Sequence, residues 1–134
     1  MATKTEKYYE AVGRRKSATA RVRLFEADKP EFLINDKPAN EYFKTTVLQH
    51  RVREPLEKTE NLGNFKVSVK VSGSGTSSQA DAIALGVARA LLVVDENNRV
   101  ALRNADLLKR DPRIKERKKP GLRKARKRPQ WSKR

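Results

Sequence analysis

The last 26 residues constrain this chain more than any other feature. From Lys109 to Arg134 there are 14 Lys and Arg against Asp111 and Glu116, a net +12 out of +16 for all 134 residues. Such a segment has almost nothing to bury and its like charges repel. It cannot offset its ordering entropy alone, so it is expected to be disordered when free and ordered on a polyanion. Residues 1–108 carry 18 basic and 14 acidic side chains, a balance that a folded domain tolerates. The expected organisation is a globular domain over 1–108 followed by an extended polybasic tail over 109–134. With 36% charged and 37% hydrophobic residues the core must be modest, which excludes a large multidomain enzyme.

The chain has no cysteine, which removes disulfides, thiolate metal sites and cysteine nucleophiles and fits a reducing cytoplasm. The longest mostly apolar run, Ala82 to Val94, is interrupted by Arg89 and falls short of the roughly 20 residues a membrane helix needs. The N-terminus lacks the apolar core of a secretory signal and the acid-poor character of a transit peptide. The expected location is the cytoplasm, with no membrane partner.

Apolar alternation predicts strands over Lys7–Val12, closed by Gly13, and over Ala18–Glu26, where Thr19, Arg21, Arg23 and Phe25 form the outer face. A third short strand, Phe32–Ile34, ends in the turn Asn35–Pro38, which leads into a brief helix through Tyr42 and Phe43. Thr45 or Thr46 caps a helix through Val47, Leu48, Arg51 and Val52, which Pro55 should kink or divide. Phe65–Ser72 alternates strictly, with Lys66, Ser68, Lys70 and Ser72 on one side. After the Gly-rich stretch Ser72–Ser78, a helix over Gln79 to about Val94 should be the buried centre, with a Ser or Thr as its cap. A last short helix is expected over Asn98–Leu108.

The tail points to nucleic acid, because polycations gain affinity by releasing phosphate counterions. It has no apolar stripe for a membrane, and an arginine-rich arm suits the irregular grooves of folded RNA. Gly13-Arg14-Arg15-Lys16-Ser17-Ala18 reads as a loop with three consecutive cations and a glycine that lets the backbone approach a phosphate. A solvated hairpin turn is the plainer alternative; the nearness of Arg21, Arg23, Lys66 and Lys70 favours binding. Val71–Ser78 imitates a dinucleotide fingerprint, with Asp95 falling 20 residues after Gly75, but Ser78 stands where the third glycine belongs. The stretch is read as a flexible turn, so no cofactor is expected. Catalysis has little to work with: His50 is the only histidine, without an evident acid partner, and no metal-ligand spacing emerges. Tyr8, Tyr9, Phe25, Phe43 and Phe65 are assigned to the core, whereas Trp131 in the tail is free to stack on a base or pack on a partner.

Three stretches resemble a known family: Gly13 to Val22, Gly73 to Leu91, and Lys119 to Arg134. The family is the ninth protein of the small ribosomal subunit, bacterial type. Two departures stand out. Gly73-Ser74-Gly75 replaces the family's glycine triplet, which argues against a strained backbone at Ser74, and Trp131 stands where Phe or Tyr is usual. The resemblance implies a two-layer α+β fold whose βαβ crossover is left-handed, against the general rule. It also implies a non-enzymatic protein of the ribosome that binds rRNA in the subunit head beside neighbouring head proteins. Arg14, Arg15, Lys16, Arg21, Arg23, Lys66 and Lys70 then become rRNA ligands of the body. Arg113, Lys115, Arg117, Lys118, Lys119, Arg123, Lys124, Arg126, Lys127 and Arg128 become those of the tail. Ser132, Lys133 and Arg134 are carried over to tRNA in the peptidyl site, where cations hold a backbone without reading its sequence.

Overall fold

A computed structural model describes residues 7–26, 29–114 and 116–128. The alternating segments form strands β1 (Tyr8–Arg15), β2 (Ala18–Glu26), β3 (Glu31–Ile34), β4 (Lys37–Pro38) and β5 (Phe65–Ser72). The helices are α1 (Ala39–Tyr42), α2 (Thr46–Lys58), α3 (Thr76–Val94) and α4 (Asn98–Asn104). The strands make one sheet in the order β1-β2-β5-β3-β4. All neighbours are antiparallel except β3 and β5, whose parallel pairing is reached by a crossover through α1 and α2. This mixture of sheet and helices is compatible with the expected α+β class.

Alternation sorts the sheet into two unlike faces. Val22, Leu24, Val67 and Val69 point inward and join Ile83, Val87 and Leu91 of α3 in the core. The helix lies across β1 and β2, and α2 packs beside it. Two glycines set how closely it lies. A Cβ on Gly13 would stand 1.9 Å from the Ala82 carbonyl oxygen, and one on Gly86 would stand 2.6 Å from Val22 Cγ2. Gly13 is therefore buried within β1, not placed in a loop beside a phosphate as its neighbours suggest. The expected loop shrinks to Lys16 and Ser17, because Arg15 already pairs with Ala18. Lys16 takes the left-handed backbone, φ 51°, that this two-residue turn demands.

Four other expectations are corrected. Pro55 sits buried inside a single undivided α2 near its C-terminal end, where the amide hydrogen it lacks removes only one helical bond. Helix α3 begins at Thr76, its N-cap is Gly75, and no side chain caps it. At 19 residues it is long and apolar enough for a membrane span by length and composition, but most of its residues are buried against the sheet and α2. Helix α4 stops at Asn104, and Leu107 reaches the core from the irregular segment that follows. Ser74 does adopt the strained left-handed backbone, φ 56°, next to Gly73 at φ 85°. Parallel pairing also continues past the end of β3. The Asn35 side-chain amide donates to the Val71 carbonyl and accepts from the Val71 amide, both at 3.0 Å, which extends the ladder by one step.

Candidate nucleic-acid interface

Helices cover one face of the sheet, and no described element covers the other. Arg14, Arg21, Arg23, Lys66 and Lys70 all project from this open face, because they fall on the outward register of β1, β2 and β5. Arg21 lies opposite Lys70 and Arg23 opposite Ser68, so that the four side chains line a shallow depression. Two carboxylates share the face. Glu10 accepts from Arg21 Nη2 at 3.2 Å and lies 3.8 Å from Arg23 Nε, and Glu31 is 3.8 Å from Lys66 Nζ. Arg21 is 59% and Arg23 42% exposed, so these pairs are weak and exchangeable for a phosphate. Lys16 at the hairpin tip is exposed as well.

Arg15 differs from its neighbours. On the inward register of β1 its side chain is only 13% exposed. Its Nη1 is 2.8 Å from Asp111 Oδ2, and its Nε is 3.6 Å from Asp81 Oδ2 on α3. Asp81 in turn accepts from Arg51 Nε at 3.0 Å, and Arg51 Nη1 donates to Glu54 at 2.8 Å. Burial works against the Arg51 charge, but its hydrogen bonds to Glu54 and Asp81 prevail and hold the guanidinium above its ordinary value. Asp111 also receives the Arg113 side chain and the Arg113 amide, at 2.9 Å for the latter. These bonds, with Arg15 adding its own, hold the Asp111 carboxyl well below the usual carboxylate range. The start of the basic segment is thus fastened to β1 through Arg15, which Asp81 of α3 holds from the other side. Sequence reasoning missed Arg51 and Glu54 here; the one local signal was Asp81, the single acid on α3.

The described residues after Leu108 contain no helix or strand. Glu116 gathers Lys119 Nζ at 2.6 Å and Arg126 Nε at 2.8 Å, which lowers its carboxyl pKa and folds the segment back on itself. Arg117, Lys118, Arg123, Lys124, Lys127 and Arg128 are exposed. Lys115, Trp131, Ser132, Lys133 and Arg134 lie outside the described residues. His50, expected to lack an acid partner, has Glu57 Oε2 3.8 Å from its Nδ1 on the exposed side of α2.

A core-backed sheet with an open cationic face, continued by a basic segment that it fastens at the root, defines a structural polyanion-binding protein. The model of the ribosomal protein S9/S16 family matches residues 13–134, and the chain belongs to that family. It is accordingly a small-subunit ribosomal protein, structural rather than enzymatic, that binds rRNA.

Proposed function

We propose that the chain holds rRNA in the head of the small subunit with its open sheet face and hairpin tip, and that its tail runs along rRNA to the peptidyl site. The observation that carries this reading is the open face, where five cations stand against Glu10 and Glu31. Arg14, Lys16, Arg21, Arg23, Lys66 and Lys70 contact phosphates from the body, while the tail cations from Arg113 to Arg128 add charge that is not sequence-selective. Arg15 belongs to this set as a positioning residue, since Asp81 and Asp111 occupy its donors. Ser132, Lys133 and Arg134 hold the backbone of peptidyl-site tRNA. The domain boundary near residue 108, the left-handed sense of the β3-to-β5 crossover and the cytoplasmic location complete the reading.

The test is a salt titration of binding to a head fragment of small-subunit rRNA, with a scrambled RNA of equal length beside it. Specific recognition keeps an advantage of several kcal/mol, roughly the 4–10 typical of specific over nonspecific sites, as salt rises. Convergence of the two RNAs to one affinity would leave only a polycation and overturn the reading.

A further inference from the structure

Two aromatic side chains assigned to the core by sequence lie instead on the open face. Tyr8 and Phe25 stand directly opposite each other across β1 and β2, with ring centroids 5.6 Å apart and planes 52° apart. Tyr8 is 41% exposed and Phe25 is half-buried, while Phe43 and Phe65 fill the core as expected. A cross-strand aromatic pair alone stabilises a hairpin, so its surroundings decide what else it does. The Arg23 guanidinium lies 4.7 Å from the Tyr8 ring centroid, and Lys66 is the register partner of Phe25 on the other side. One outward row of β2 therefore reads Arg21, Arg23, Phe25, at steps of about 7 Å. Glu10 pairs with both arginines, and of the two it is the Arg23 guanidinium that lies over the Tyr8 ring.

This order of groups distinguishes between forms of RNA. An A-form duplex hides its base faces in the stack and offers a protein phosphates, 2′-hydroxyls and groove edges. An unpaired strand offers a base face next to each phosphate, and aromatic side chains hold such faces without selecting sequence. We infer that the open sheet face holds an unpaired stretch of RNA, with one base stacked on the Tyr8–Phe25 pair and the adjoining phosphates on Arg21, Arg23 and Lys70. The Arg23 guanidinium leaves the Tyr8 ring when its phosphate and the stacked base are taken up. The inference rests on the RNA-binding reading above and adds the strandedness of the RNA that the face accepts.

The experiment compares the full chain with the double variant Tyr8→Leu/Phe25→Leu and with Tyr8→Phe, on a short unpaired RNA and on the duplex made from it. Salt is raised to about 0.5 M, where phosphate neutralisation contributes little. The double variant is expected to bind the unpaired RNA roughly 5- to 150-fold more weakly, as removal of one stacked base does. Duplex affinity should stay unchanged, and Tyr8→Phe should retain binding. No weakening on the unpaired RNA, or an equal weakening on both RNAs, overturns the inference. Should thermal melting show the double variant to be unfolded, ultraviolet crosslinking of the unaltered chain to bromouridine-substituted unpaired RNA replaces it. A crosslink at Tyr8 or Phe25 supports the site, and crosslinks confined to other residues overturn it. If the unaltered chain binds neither RNA better than a polylysine of equal charge does, the RNA-binding reading itself falls, a result distinct from failure of the aromatic site.

Discussion

A methyl group at position 13 would meet the Ala82 carbonyl oxygen and the Gly86 amide nitrogen, both backbone atoms of α3 that cannot swing aside. Gly13→Ala is therefore expected to lower stability by about 1–3 kcal/mol, the range for overpacking, and a fall in the thermal unfolding midpoint checks it. Ser74 presents the opposite case. Its φ of 56° strains any L side chain, by about 1–2 kcal/mol, so Ser74→Gly should raise the same midpoint slightly. Neither site is legible locally. Gly13 stands next to three cations and reads as loop because the groups it packs on lie some seventy residues away. Ser74 reads as relaxed because a non-glycine residue ordinarily avoids that backbone. The charge state of Asp111 gives a third test at this scale. Its folded pKa is depressed by Arg113 and then Arg15, so the tie to Arg15 is fully present above the ordinary aspartate value and is lost only as pH falls through the depressed folded value. NMR titration of the Arg113 amide, which donates to Asp111, should show constant signals from neutrality down through about pH 4 and movement only under more acid conditions.

Among the elements, β5 is the most legible, because a half-buried strand imposes a period of two that Phe65–Ser72 obeys at every position. Local pattern ends the first strand at Gly13, since glycine weakens a strand unless something beyond the segment needs its missing side chain. The same local pattern starts α3 at Gln79, because Thr76, Ser77 and Ser78 favour caps and turns. In the folded chain they form its first turn, with the Gln79 amide bonded to the Gly75 carbonyl. The parallel pairing of β3 with β5 has no signature at all, being decided between segments more than thirty residues apart. The outward faces of β2 and β5, in contrast, are fixed by alternation, and their cations emerge together as expected. Their contribution is measurable separately from that of the tail. Arg21→Gln/Arg23→Gln should reduce the slope of log K against log salt for RNA binding by roughly 0.7–0.9 for each phosphate no longer neutralised, with the fold unchanged by circular dichroism.

For the molecule as a whole, body and tail are expected to answer differently to truncation. Removal of residues 132–134 should leave subunit assembly nearly intact and weaken retention of peptidyl-site tRNA, as measured by filter binding to reconstituted subunits. Truncation after Leu108 should instead impair rRNA binding itself. The division into a balanced body and a cationic tail is visible in charge alone, but the point of attachment is not, because it depends on Arg15 reaching both Asp81 and Asp111. If body and tail bind separately, as proposed, that attachment fixes the geometry of a bivalent ligand. With the body seated, the tail's encounter with a site of its own would be intramolecular and governed by effective concentration rather than bulk concentration. From Asp111 the 23 residues to Arg134 span at most about 80 Å when extended. Loosening the Arg15–Asp111 pair would let the tail swing from a point nearer Leu108, enlarging the volume its end must search. Avidity would then fall even with every cation still present.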